Sequence, residues 1–388
     1  MSRRGANATT LGRSGLLAAA LAIVAPSARV VACSAFSVAG DGLVLFAVNE
    51  DFWDPDTKMW LVPASEGSYG RVYFGYSDLL PQGGMNEAGL AYDGFATPPK
   101  PVQRGREKAP ISERALIDSA MATCATVDDV VRLVERHNLQ VMESFMLMFA
   151  DRTGASVIIE GDDILRKTGP FQVVTNFRQS QHPDGVGAYE DGESCTRFEI
   201  ATEQLGQLKQ VTIEAARDVL VAIHAEGRSR TLYSVIYELG NGRAHLYHYH
   251  DFSHDVVIDL AAELEKGAGV VDLPALFPRS YAYEAFAAEQ AAELEARRVA
   301  RGPVEVAAEV MSGYVGRYLG PDGELTITLE NGSLIGDAVD LPRTALTPTS
   351  PTTFFAVRFL GDVEIDFQVG PEGQVEGVAL RVGGRKTL

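Results

Sequence analysis

Cys33 follows Val30-Val31-Ala32, small and apolar residues of the kind that precede a signal-peptidase cut. A cut between Ala32 and Cys33 would put a free α-amine and a thiol on one residue. The ordinary pKa of such an amine is ~7.7–8.0 and that of the thiol ~8.5. At neutral pH the amine can take the thiol proton, directly or through a water, and leave a thiolate. A thiolate of this kind attacks a carbonyl carbon. It needs a carboxylate to orient the amine and donors to hold the oxyanion.

Two other groupings could carry chemistry. Four histidines crowd into His245–His254 beside Asp251, and alternating side chains on a strand share a face. The segment is also rich in tyrosine and reads as a solvent-facing strand, so neither a metal nor a cofactor is expected. Cys124 and Cys195 are the remaining cysteines. A bridge between them requires Cα atoms within ~7 Å, which spacing alone does not decide.

The leader before Cys33 has three parts. Arg3, Arg4 and Arg13 make a positive start, Gly15–Ala25 is a short apolar run, and small residues follow. That run is about half the ~20 residues a membrane span needs. The 388-residue chain carries a net charge of −18, which becomes −22 once the four arginines of 1–32 are removed. Such a polyanion repels nucleic acid and acidic membrane surfaces, so neither is an expected partner.

Downstream, Ser34–Val38 and Leu43–Asn49 read as a hairpin across Gly40-Asp41-Gly42. Strands are expected at Met59–Val62, Arg71–Tyr76 and Leu90–Phe95, with a polar turn over Gln82–Glu87. Ser112 and the Thr126-Val127-Asp128-Asp129 capping box start two helices. A second hairpin turns at Asp151-Arg152-Thr153-Gly154, and Phe171–Thr175 is a further strand. Helices over Ser194–Leu205 and Ile213–His224 precede a third hairpin, Thr231–Leu239 and Arg243–His250. The fold class is α+β, with helices packed on sheets. The expected layout is a signal peptide over 1–32, a layered domain over 33–280, an exposed helical linker over 281–304 and a small all-β sandwich or barrel over 305–388.

Four segments together resemble the cysteine-type N-terminal-nucleophile (Ntn) hydrolases. That superfamily includes choloylglycine hydrolase, penicillin V acylase and acyl-CoA:6-aminopenicillanate acyltransferase. The segments are Cys33-Ser34-Ala35-Phe36, Phe46-Ala47-Val48-Asn49-Glu50-Asp51, Val174-Thr175-Asn176-Phe177 and Ser194-Cys195-Thr196-Arg197-Phe198. Gly84–Leu90 and Thr231–Val235 are further family-like stretches. The resemblance covers about Cys33 to Phe252 and implies an αββα sandwich.

It also implies roles. Cys33 would be nucleophile and, through its amine, base. Asp51 would orient the amine, Asn176 would donate to the oxyanion with a backbone N–H near Phe95 or Ala96, and Arg197 would fix the Asp51–Cys33 network. Trp53, in the loop after Asp51, is a candidate pocket wall. One departure stands out: the bile salt hydrolase branch carries an arginine where this chain has Val48, so the site should be less cationic here.

The expected activity is an exported amidase or acylase, periplasmic or extracellular, that opens a linear amide through a thioester. An acyltransferase of the same fold is the alternative. A second rival comes from Val30-Val31-Ala32-Cys33, which also resembles a lipobox; lipidation there would give a membrane-anchored, non-catalytic binding protein. The expected partner is a small-molecule amide, with a homo-oligomer left open.

Overall fold

The computed structural model describes residues 33–183, 193–227, 229–320, 323–338, 341–359, 361–383 and 385–386. The expected signal peptide lies outside the described residues.

In chain order, β1 (Ser34–Gly40) and β2 (Leu43–Phe52) lead into β3 (Thr57–Val62), β4 (Arg71–Tyr76), β5 (Pro81–Asn86) and β6 (Leu90–Ala96). Helices α1 (Glu113–Thr123) and α2 (Val127–Val134) come next. After them run β7 (Phe145–Asp151), β8 (Ser156–Ile159), β9 (Ile164–Arg166) and β10 (Phe171–Val174). Helices α3 (Glu193–Gln207) and α4 (Ile213–Ala222) precede β11 (Arg230–Glu238), β12 (Arg243–His248) and β13 (Asp251–Asp259). Then come α5 (Leu260–Glu265) and β14 (Gly269–Asp272).

These strands form two antiparallel sheets, ordered β10-β1-β2-β11-β12-β13 and β14-β3-β4-β5-β6-β7-β8-β9. Period-two alternation decides how they stack. Phe46 and Val48 of β2 point inward and meet Phe74, Met85, Phe95 and Met148 of the second sheet. Leu45 and Ala47 point the other way and pack with Ala201, Leu205, Val219 and Leu220 of α3 and α4. On the far face of the second sheet, Tyr73, Tyr92 and Phe149 pack against α1 and α2. The result is helix, sheet, sheet, helix, as expected. Each buried phenylalanine contributes roughly 1.5–3 kcal/mol to that stack.

Local chemistry sets the element ends. Ser112 caps α1 by accepting from the Ala115 N–H, and Thr126 and Asp129 complete a capping box on α2. In the first hairpin, Asp41 and Gly42 take positive φ values of 52° and 82°.

One expected turn is a strand instead. Gln82–Glu87 was expected to turn on its glycines, yet Pro81–Asn86 pairs with β4 and β6. The glycines serve close approach there: a Cβ on Gly83 would stand 2.3 Å from Asp93 Oδ2, and one on Gly84 2.4 Å from the Val72 carbonyl. The chain reverses one step later, where Gly89 has a φ of 80°.

The histidine-rich run also differs from its expected single strand. The chain reverses at Tyr249 and His250, both at positive φ, so β12 is interior and β13 takes the sheet edge. His248 is buried beside Phe277 and Tyr283.

Helix α6 (Tyr281–Ala300) is less exposed than a free linker would be. Phe286 is buried and stacks on Tyr249 at 5.6 Å, and Tyr283 Oη donates to the Pro55 carbonyl at 2.7 Å. After α7 (Ala308–Ser312), the last sheet holds β15 (Gly316–Gly320), β16 (Gly323–Glu330), β17 (Ser333–Ala338), β18 (Leu341–Pro348), β19 (Thr353–Ala356), β20 (Val363–Val369), β21 (Val375–Val382) and β22 (Arg385–Lys386). Each strand pairs with its sequence neighbour, in a barrel-like meander around Leu325, Ile327, Leu334, Phe354, Ile365 and Phe367. Arg297 and Arg301 of the α6 end tie to Asp362 and Glu364. Arg358 stands 3.8 Å from Asp78 of the layered part.

Candidate active site

Cys33 sits just before β1, at 1% exposure, with its thiol 3.8 Å from the Asp51 carbonyl as a weak donor. The β1–β2 register (Ser34 opposite Asn49) brings the two residues together. On the other side of β2, the pairing with β11 slips between Thr231 and Tyr233. This bulge turns Thr231 onto Asp51, and its hydroxyl donates to Asp51 Oδ1 at 2.5 Å.

Arg197 projects from the second turn of α3, whose buried face runs Ser194, Arg197, Ala201, Leu205 at helical spacing. Its Nη1 donates to the Cys33 carbonyl at 3.0 Å and to the Ser34 hydroxyl, and lies 3.7 Å from Asp51 Oδ2. Its Nη2 donates to Asn176 Oδ1 at 3.1 Å. Asn176 follows β10, where its backbone N–H donates to Ser194 Oγ at 2.9 Å. Its side-chain Nδ2 donates to the Ala96 carbonyl at 3.1 Å. Cys33, Asp51, Asn176 and Arg197 thus lie in one bonded group, although they come from four separate segments.

The three candidate pocket residues are placed differently. Trp53 stacks on Phe52 at 4.2 Å and Phe95 lies between the sheets, both in the apolar cluster that includes Cys33. Ala96 meets the group through its carbonyl, which accepts from Asn176 Nδ2. All three cysteines are free thiols, so Cys124 and Cys195 do not pair.

Two acids near Cys33 escaped the sequence reading. Glu50 and Asp93 are 1% and 2% exposed. Glu50 faces the Cys33 thiol and accepts from Tyr76 Oη at 3.1 Å. Burial pushes both carboxyls up, Glu50 to about 8 against the Tyr76 hydrogen bond and with added repulsion from Asp51, and Asp93 well above its ordinary value with added repulsion from Glu50. A signal existed: Glu50 continues the inward series Phe46, Val48, and Asp93 sits between the inward Ala91 and Phe95.

Asp51 is raised to about 7 by burial, against the opposing pull of Arg197 and the Thr231 hydrogen bond. The Cys33 thiol is pushed up by burial first, then by Glu50, Asp51 and Asp93. As a link within an uncut chain, this cysteine is a poor nucleophile.

Residues 38–250 match the sequence model of the acyl-coenzyme A:6-aminopenicillanic acid acyl-transferase family. The chain belongs to this family. That places it among the N-terminal-nucleophile enzymes that its motifs resemble. Asp51, Asn176 and Arg197 lie inside the acyl-transferase match, and Cys33 lies five residues before it. Residues 300–387, which include the barrel-like meander, match a domain of unknown function (DUF3471).

Among solved structures, a single-residue variant of conjugated bile acid hydrolase from Clostridium perfringens is similar at 16% identity. That likeness covers 62% of this chain and 96% of that one, with a TM-score of 0.48. Penicillin V acylase from Agrobacterium tumefaciens is similar at 18% identity over 61% and 90% of the two chains, with a TM-score of 0.49. No curated protein matches the chain in sequence.

Proposed function

We propose that the protein is an exported amidase or acylase, made competent by a cut between Ala32 and Cys33, that hydrolyses a linear amide C–N bond. The observation that carries this reading is the guanidinium of Arg197, which bonds the Cys33 carbonyl and Asn176 while facing Asp51. Asp51 Oδ2 is buried and accepts no hydrogen bond from the described residues. A new amine on Cys33 would bring a donor, and when protonated a cation, beside the thiolate that burial and the neighbouring acids now disfavour.

The steps follow. The Cys33 thiol gives its proton to the amine, and the sulfur attacks the amide carbon. The oxyanion takes a hydrogen bond from Asn176 Nδ2, whose second N–H is not needed by Ala96. Collapse breaks the C–N bond, and the leaving amine takes the proton from the Cys33 ammonium. Water, deprotonated by the same amine, then opens the thioester to a carboxylic acid and restores the thiol.

An acyl-transferase reading is favoured by the family match itself. Hydrolysis is preferred because an exported enzyme meets water as its acceptor, whereas coenzyme A is cytoplasmic. The test is a panel of p-nitroanilides of varied acyl length, with and without an added amine acceptor, on protein whose N-terminus has been sequenced. Release of p-nitroaniline and free acid by Cys33-started protein is expected, with none from Cys33→Ala. Transfer to the amine with negligible hydrolysis would assign the acyl-transferase instead. Full turnover by both Cys33→Ala and Cys33→Ser, or a diacylglyceryl group on Cys33, would end the nucleophile reading.

A further inference from the structure

His224, Glu226 and His250 offer three ligand atoms that all lie within 4.8 Å of one another. They come from three places: the end of α4, the loop before β11, and the β12–β13 turn. Ligands around a tetrahedral zinc stand about 3.3 Å apart at Zn–N distances of ~2.0–2.1 Å, so small side-chain rotations would close the set. His224 Nε2 and Glu226 Oε1 are already 2.9 Å apart.

The surroundings of the two rings fit a metal better than a simple ion pair. His224 Nδ1 bonds to the Val221 carbonyl at 2.6 Å, which leaves Nε2, paired with Glu226 in this structure, as the nitrogen that would turn to an ion. The His250 Nε2 is buried with no hydrogen-bond partner among the described residues. Metal-binding histidines are usually held as His224 is, one nitrogen fixed by a carbonyl and the other aimed at the ion. A buried imidazole nitrogen without a partner is otherwise unfavourable.

We propose that His224, Glu226 and His250 form a binding site for a divalent transition metal of the zinc class. Two imidazoles and one carboxylate suit zinc, and three protein ligands leave a fourth position open. Both His224 and Glu226 line a cleft of about 350 Å³ that also includes Thr196, Arg197 and Ile200. Arg230 is the opposing charge near His250. It is bonded to Tyr249 Oη at 3.1 Å and lies over the Phe286 ring at 4.6 Å, which holds it to its own partners. The site shares this cleft with Arg197 of the amidase reading, although it uses none of the four residues of that reading as a ligand. It would still brace the loop at Ala225, whose N–H donates to the same Thr231 hydroxyl that holds Asp51.

Untagged protein, stripped with a chelator and titrated with Zn2+ by calorimetry, tests it. One high-affinity zinc per chain is expected, together with a rise in Tm in excess zinc. Glu226→Gln changes an exposed side chain, and His250→Asn keeps a residue that tolerates positive φ, so folding is not the issue in either. Each should weaken zinc binding by about 10–100-fold or more. A stripped protein that takes up no zinc overturns the proposal. So does full zinc affinity in the Glu226→Gln, His250→Asn and His224→Ala variants, which would place the ion on other residues.

Discussion

Arg197 Nη2 donates to Asn176 Oδ1 at 3.1 Å, and this bond decides which way the Asn176 amide faces. A guanidinium only donates, so the amide oxygen must face it and Nδ2 must face away, toward the Ala96 carbonyl at 3.1 Å. The orientation that an oxyanion donor needs is therefore built in before any substrate arrives.

On the proposed mechanism, replacing Asn176 with Ala should lower kcat by about 10²–10³ with little change in KM, since one oxyanion donor would be lost. Arg197→Ala should in addition destabilise the fold by about 1–3 kcal/mol, because the buried Cys33 carbonyl and Asn176 Oδ1 lose their donor. Steady-state kinetics and urea midpoints separate the two variants. A kcat for Asn176→Ala equal to that of the parent would remove Asn176 from the mechanism.

Asp51 should make the uncut chain less stable as pH rises. Its carboxyl holds a proton up to about pH 7 when folded, against an ordinary value of 3.8. Between those values the folded state binds more protons than the unfolded state. Its contribution is therefore complete below about pH 4 and is lost as pH climbs through 7. Glu50 and Asp93 act in the same direction. Asp51→Asn should flatten part of the decline in urea midpoint between about pH 4 and 7. Cleavage before Cys33 should flatten it as well, since the new cation favours ionised Asp51. Parallel curves for the parent and Asp51→Asn would show that Asp51 does not titrate in this window.

Gly83→Ala should destabilise the layered part by about 1–3 kcal/mol, since the new methyl would overlap Asp93 Oδ2 and press on the Tyr92 carbonyl. Calorimetric Tm reads this directly. An unchanged Tm would mean that β5 and β6 can part without loss.

Phe286→Ala should remove about 3–5 kcal/mol, because the ring is buried between Tyr249 and the guanidinium of Arg230. Tyr283→Phe should remove only about 0.5–1.5 kcal/mol, the value of one hydrogen bond. Equal losses would show that α6 is held by something other than its apolar face.

The elements legible in the sequence were those specified locally. Gly40-Asp41-Gly42 announces the first hairpin, and Thr126 with Asp129 announces α2. Glycine misled at Gln82–Glu87, where its lack of a side chain serves a close strand contact rather than a turn. The four candidate residues were found through resemblance, but what joins them is non-local. The slip opposite Asp51 depends on β2 meeting a strand almost 180 residues later, and no window of sequence contains both. Glu50 and Asp93 were hidden because a carboxylate in a strand normally faces water. Only the alternation around each one shows it facing in.

The sheet orders imply a schedule for folding. Strands β15 to β22 pair only with sequence neighbours, so each contact closes a short loop. Sheet β10-β1-β2-β11 joins distant parts of the chain, and its Asp51–Thr231 bond spans 180 residues. Long closures lose more chain entropy before they are rewarded. The meander is therefore expected to gain amide protection early in pulsed hydrogen exchange, and β1 with β10 late; the reverse order would refute this.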